Sequence, residues 1–144
     1  MITYSIATEE DIDKLKQLTD LMLTHTCLGV ATLPKIRALV LSPNTLVTLA
    51  WADAKLVGFN CAAVHESMFN NNKRVSDIGL FVDKEYRKSE IARVLIERLE
   101  AWAQKQGASQ IWLGQTTGDN VAIVERYYNR LGYKTQGFNC VKEL

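Results

Sequence analysis

Proline is scarce in this chain, with two residues, and cysteine is limited to Cys27, Cys61 and Cys140, spaced too widely for a C-x-x-C metal or redox motif. An odd, scattered set of thiols excludes a disulfide framework and reads as reduced side chains, mostly in the core. No apolar run approaches the roughly 18 to 20 residues a membrane helix needs; the one at 78–82 is already interrupted by Gly79. The opening Met1-Ile2-Thr3-Tyr4-Ser5 has no basic segment followed by an apolar one, so no secretory signal and a cytoplasmic setting are expected. An excess of one charge is missing too. The 17 basic and 16 acidic side chains leave +1, which provides no long-range field for a general nucleic-acid binder. Repeats, low-complexity tracts and Pro/Gly/Ser linkers are also absent.

What is present is 144 residues, 47% of them hydrophobic, which suffices for one domain over 1–144 with a real core. The charge is uneven. Residues 1–72 carry 5 basic and 7 acidic groups, residues 73–144 carry 12 and 9, so an anionic ligand belongs with the second half.

Short elements alternate along the chain. Residues 3–7 read as a strand, and Thr8-Glu9-Glu10-Asp11 as a capping box opening a helix with Ile12, Leu15, Leu18 and Met22 on one stripe. Thr32 and Pro34 start a second helix, with Ile36, Leu39 and Val40 inward, that ends at Ser42-Pro43-Asn44. Residues 45–51, 56–64 and 75–82 are β-rich and predict an antiparallel meander. The strongest helix is predicted over 89–106, with Ile91, Val94, Leu95, Leu99 and Trp102 inward and Gly107 as its cap; a short strand at 110–114 follows. Strand, helix, strand over this span predicts a crossover between parallel neighbours. Gly118-Asp119-Asn120 then caps a helix carrying Val121, Val124, Tyr128 and Leu131 inward, Gly132 closes it, and 133–143 is expected to be a final strand. The fold class is α/β (α+β): a mixed, mostly antiparallel sheet of six to seven strands with about four helices on both faces.

Chemistry concentrates where the third β-rich run meets the long helix, at Leu80-Phe81-Val82-Asp83-Lys84-Glu85-Tyr86-Arg87-Lys88-Ser89-Glu90-Ile91-Ala92. First-turn amides, with the positive end of the helix dipole behind them, point at one spot, and Arg87 and Lys88 add charge. A diphosphate fits such a site; a plain strand-to-helix turn with solvated cations fits the same residues. A second phrase, Tyr128-Asn129-Arg130-Leu131-Gly132-Tyr133, puts a tyrosine four residues before a glycine cap.

These two phrases, in this order of elements, resemble the GNAT superfamily of acyl-CoA-dependent N-acetyltransferases. The first is similar to its pyrophosphate-binding segment, Gln/Arg-x-x-Gly-x-Gly/Ala, with Glu90 at the first glycine and Ala92 at the second. Glu90 must then turn its side chain outward, and its charge opposes a diphosphate. Asn120 sits one residue earlier relative to Tyr128 than the family's asparagine. The resemblance implies that acetyl-CoA is the co-substrate, with no metal. Its pantetheine arm would pair with the main chain of Leu80, Phe81 and Val82, its diphosphate would lie on Arg87, Lys88, Ser89, Glu90, Ile91 and Ala92, and Asn120 and Tyr128 would complete the cofactor contacts. It further implies that the Tyr128 hydroxyl protonates the departing thiolate.

An alkylammonium near pKa 10 must lose a proton before it attacks. Asp77, inside an otherwise apolar strand and near the bulge expected there, is the first candidate base, and Glu66 and His65 are the seconds. Asp77 as a solvent-facing residue and Tyr128 as a core ring are the readings that need no catalysis. His25 faces the side where the family receives its acceptor. The function expected is acetyl transfer to a primary amine on a small molecule or peptide. The alternatives are a degenerate CoA-binding or regulatory module, favoured by Glu90 and Asn120, and an RNA-directed member, for which the +3 of the second half is little support. Nucleic acid and membrane are not expected partners, and the last strand offers an edge for a homodimer.

Overall fold

The computed structural model describes residues 1–24, 26, 28–115 and 120–144; His25, Cys27, Gly118 and Asp119 lie outside the described residues. At its centre is the expected hairpin. Strands β2 (Thr45–Ala52) and β3 (Lys55–Glu66) pair antiparallel about a turn in which Asp53 takes a left-handed backbone, φ 52°. That conformation matches the twist of the strands, and aspartate tolerates it better than most residues. β1 (Ile2–Ile6) adds to β2 and β4 (Lys73–Val82) adds to β3, both antiparallel. β5 (Ala108–Trp112) then joins β4 in parallel, and the sheet order is β1-β2-β3-β4-β5.

Side-chain alternation along the central strands splits the core between two faces. Val47, Leu49, Phe59 and Cys61 point to one face, where Ile12, Leu15 and Leu18 of α1 (Ile12–Leu23) and Ile36 of α2 (Leu33–Leu41) cover them. Leu46, Ala50, Val57, Ala62, Val75 and Val82 point to the other, under Ile91, Leu95, Leu99 and Ala103 of α3 (Ile91–Lys105). The buried stripe of α3 also takes in Ile96, while the expected Val94 and Trp102 stay half-buried.

The helix starts follow their local chemistry. Thr8 donates its backbone N–H to the Asp11 carboxylate at 2.9 Å, so the box ahead of α1 closes through an aspartate. α2 opens after Thr32 with Pro34 in its first turn. Gly107, at φ 74°, ends α3, and Gly132, at φ 95°, ends α4 (Val121–Arg130).

Two expectations need correction. α4 has no fully buried residue, and Val121, read as inward, is 49% exposed. Residues 133–143 do not form a strand, so the sheet has five strands among the described residues instead of six or seven. The start of this segment is held against α4: Asn129 Nδ2 donates to the Tyr133 carbonyl at 2.8 Å, and the Thr135 hydroxyl donates to Glu125 at 2.9 Å. Gly137, at φ 92°, then breaks the extended run. Among the described residues, no helix is long and apolar enough to cross a membrane.

Candidate active site

The site begins where the sheet comes apart. β5 pairs with β4 only from Lys73 to Ser76, where β5 itself ends at Trp112, so beyond Ser76 that edge of β4 carries no paired strand among the described residues. On its other edge β4 stays on β3, but the register shifts between Cys61↔Gly79 and Ala62↔Asp77, so Ile78 is an extra residue: the bulge expected near Asp77 is there. Past the bulge, the Asp83 N–H donates to the Val57 carbonyl at 2.8 Å, with Phe81 opposite Phe59 and Gly79 opposite Cys61. Bonded and unbonded pairs alternate in an antiparallel ladder, so the intervening Leu80 and Val82 turn their N–H and C=O groups away from β3. These groups face the open wedge. The Val82 carbonyl accepts from Arg87 Nε at 3.0 Å, which leaves the N–H groups of Leu80 and Val82 and the Leu80 carbonyl for a ligand lying in the wedge as an added strand. The Phe81 side chain packs with the α1 and α2 core and carries the Arg87 guanidinium 5.5 Å from its ring.

At the far end of β4, a short 3-10 turn (Lys84–Tyr86) leads into α3. Lys88 adopts a left-handed backbone, φ 64°, and the Ser89 hydroxyl donates to the Tyr86 carbonyl at 2.6 Å. The Ile91 N–H reaches Ser89 Oγ at 3.4 Å, and no side chain caps α3. Its first-turn amides at Ala92 and Arg93 are therefore available to an anion in front of a 15-residue helix. Glu90 is turned outward, as expected, with its carboxylate 3.3 Å from Arg93, and Arg93 also bridges to Glu97. The structure thus shows how a glutamate is accommodated at a position where the resemblance has glycine: its charge is drawn to a neighbouring guanidinium on the helix surface.

Asp77 and Tyr128 come together. Burial pushes the Asp77 carboxyl up to about 7 from 3.8. Tyr128 is raised above its ordinary value of 10.0 first by burial and then by the Asp77 charge, which places the two groups within electrostatic reach. Its ring lies 6.2 Å from Tyr127 and 6.3 Å from Tyr133. Tyr133 in turn donates its hydroxyl to Glu100 of α3 at 2.8 Å, which ties the end of α4 to the sheet-covering helix. Beneath the bulge, burial and the Asp77 charge push the Cys61 thiol up to about 12, so it stays a thiol. A carboxyl pushed toward neutrality by burial, within electrostatic reach of a hydroxyl that stays protonated, is chemically able to take up a proton at one group while the other gives one up.

The remaining candidates are not gathered there. His65 and Glu66, both exposed, pair with Arg74 and Lys73 where β4 is still flanked by β5, three and four residues along β3 from the position opposite Asp77. At about 3.4 Å per residue that is roughly 10 Å or more. Asn120 sits at the start of α4 with a left-handed backbone, φ 51°, and its carbonyl accepts from the Ile123 and Val124 N–H groups. Sequence reading missed Asn60, fully buried opposite Leu80; Nδ2 donates to the Gly79 carbonyl at 3.2 Å, and Oδ1 has no partner among the described residues. A single amide within the apolar run 56–62 was the available signal.

Residues 15–133 match the family described as the acetyltransferase (GNAT) family. No curated protein matches the sequence. Among solved structures, the chain is similar to AAC(6')-Iy in complex with the bisubstrate analogue CoA-S-monomethyl-acetylneamine, with a TM-score of 0.82 and 15% identity over 100% of this chain and 98% of that one. It is also similar to an aminoglycoside acetyltransferase from an uncultured soil metagenomic sample, at 0.80 and 18% over 100% and 99%. A ribosomal-protein-alanine N-acetyltransferase from Brucella melitensis biovar Abortus 2308 aligns at 0.78 and 15%, covering 99% of each chain. At such identities the likeness to these structures speaks for the fold alone.

Proposed function

We propose that this chain, which belongs to the GNAT acetyltransferase family, moves an acetyl group from acetyl-CoA to a primary amine by direct attack in a ternary complex, with residues 1–144 acting as one N-acetyltransferase domain. The observation that carries this reading is the wedge: outward main-chain groups of Leu80 and Val82 on one side, and Asp77 with Tyr128 at its closed end. The fit to acetyl-CoA rests on the same features. The open edge of β4 suits an extended amide-bearing arm, and the first-turn amides of α3 suit a diphosphate, with Lys88 beside them.

In the transfer, Asp77 takes a proton from the incoming ammonium, directly or through a water, and frees the lone pair. The new C–N bond forms as the C–S bond breaks. The Leu80 or Val82 N–H donates to the carbonyl oxygen as its negative charge develops. Tyr128 gives its proton to the departing sulfur and takes up the one that the acylated nitrogen must still lose, so that the amide and the free thiol leave and the tyrosine is neutral again. Because burial first, and the Asp77 charge second, raise Tyr128, its hydroxyl keeps that proton through the neutral range.

Calorimetric titration with acetyl-CoA and thiol release over a panel of primary amines test the proposal. Absence of acetyl-CoA binding at millimolar concentration overturns it. Glu90, paired with Arg93 where the diphosphate would approach, favours one other reading, a weakly catalytic CoA-binding or regulatory module; thiol release with any amine of the panel removes that one.

A further inference from the structure

We propose that Asn60 is a positioning residue for the transfer: its side-chain amide holds the Gly79–Leu80 peptide so that the Leu80 N–H points into the wedge, at the thioester oxygen. This rests on the acetyltransferase reading above and chooses between the two donors it leaves open, Leu80 and Val82. Asn60 lies on β3 between Thr48 of β2 and Leu80 of β4. Ala62, two residues on and so on the same face of the strand, packs with Leu99 and Ala103 of α3. Asn60 is thus enclosed between the sheet and α3, and it is fully buried. Its Nδ2 donates to the Gly79 carbonyl at 3.2 Å, while its Oδ1 has no partner among the described residues. A buried amide with its acceptor unanswered costs stability, so packing is a poor reason for this side chain. The bond to Gly79 is the use it has.

Peptide geometry links that bond to the reaction. The Gly79–Leu80 bond is trans, and in a planar trans peptide the C=O and the N–H point in opposite directions. With the Gly79 carbonyl drawn to Asn60 on the β3 side, the Leu80 N–H is aimed away from β3, out of the edge that β5 leaves unpaired. The place matters because the β3–β4 register slips at Ile78, immediately before Gly79. A bulge interrupts the ladder, so regular pairing alone fixes this plane less firmly than those farther along. The Phe81–Val82 peptide lies within regular pairing, with Phe81 opposite Phe59 and the Asp83 N–H donating to the Val57 carbonyl at 2.8 Å. The peptide beside the bulge is the one given a side-chain donor of its own. Donation to its carbonyl also polarises the unit and strengthens the N–H at its other end. Leu80 is closer to Asp77 along β4 than Val82 is, so an oxygen held there keeps the acetyl carbon on the side of the base. A donor fixed in advance stabilises the developing oxyanion most, because nothing has to reorganise as the charge appears.

The test begins with amide NMR spectra of the unaltered chain. Acetyl-CoA should move the Leu80 N–H downfield, and by more than it moves Val82, whereas CoA without its acetyl group should leave Leu80 nearly in place. A larger shift at Val82, or the same Leu80 shift with CoA, overturns the inference with no substitution made. Asn60→Leu then keeps the volume and removes the donor. In infrared spectra, the stretch of an isotope-labelled thioester carbonyl should lie below its free value in the unaltered chain and return toward it in the variant. With the amine of the panel that releases thiol fastest, kcat should fall by roughly 10- to 100-fold, part of the 10²- to 10³-fold lost when an oxyanion donor is removed outright. The Kd for acetyl-CoA and the KM for the amine should change by about twofold or less, since the bond is strongest in the transition state. A carbonyl stretch that is the same in both proteins, an unchanged kcat, or a loss confined to acetyl-CoA affinity overturns the inference. Acetyl-CoA bound with Leu80 unmoved overturns it while the cofactor reading stands; no acetyl-CoA binding overturns both.

Discussion

Replacing Asp77 with asparagine should stabilise the fold and stop the chemistry, and both effects should depend on pH in a calculable way. Folding raises this carboxyl from 3.8 to about 7 because burial disfavours the anion. Between those values the unfolded chain has released the proton while the folded chain still holds it. The folded state therefore binds more protons there, and stability falls as pH rises through the window. Above pH 7 the full penalty is present, about 4 kcal/mol from a shift of about 3 units at 1.36 kcal/mol each. The substituted amide carries no charge at any pH, so Asp77→Asn should match the parent near pH 4, gain through pH 5 and 6, and level off above 7 with a Tm higher by on the order of 10 °C. Urea melts of both proteins across this range read the stability difference directly. Turnover should move the opposite way: the parent rises with an inflection near 7, and the variant loses on the order of 10²- to 10⁴-fold, the usual contribution of a positioned base. A stability difference flat with pH would show that the carboxyl is not buried as an anion. Unaltered turnover would remove Asp77 from the reaction even if the stability curve behaved as described.

Tyr128→Phe should leave acetyl-CoA affinity intact and lower kcat by about 10²-fold or more, and because burial and Asp77 raise the hydroxyl, the parent should show no loss of activity from its ionisation up to about pH 9; a full-rate Phe variant in a thiol-release assay would show that another donor serves the sulfur. Glu90→Gln should tighten CoA several-fold at low salt and little at high salt, since it removes one negative charge at the α3 N-terminus and frees Arg93 from one partner; unchanged or weaker binding by calorimetry would place the diphosphate elsewhere. Gly58→Ala should destabilise by about 1 to 3 kcal/mol in urea, because the new Cβ would lie 3.1 Å from the Phe81 carbonyl oxygen and 3.3 Å from Ile91 Cγ2, where β3, β4 and α3 meet. A neutral result there would mean that β4 can shift without loss, contrary to the tight register at the wedge.

Periodicity and punctuation determined most of the architecture. Ile12, Leu15 and Leu18 at helical spacing needed only a sheet to face, and both Gly107 and Gly132 end helices with a backbone that other residues resist. The identity of the acid–base pair was half legible. Asp77 stood out as a charge in an apolar strand and Tyr128 through its spacing from Gly132, yet nothing local said that residues 51 positions apart share one field. Three features were decided by tertiary structure alone. Residues 133–143 follow the Gly132 cap where a final strand is expected, but Asn129 and Glu125 hold their start against α4 through side-chain hydrogen bonds. The wedge depends on where β5 stops pairing with β4, at Ser76 opposite Trp112, which is a matter of how two segments more than 30 residues apart meet and is not encoded in any one residue type. Arg74 carries no signal of its own in the sequence; β5 brings Trp112 under its guanidinium and leaves its Nε buried. The sequence by itself determined which groups can do chemistry, since reactivity is carried in side chains and local caps. Which of those groups meet, and which lose water on the way to acquiring a shifted proton affinity, depended on contacts between segments distant along the chain.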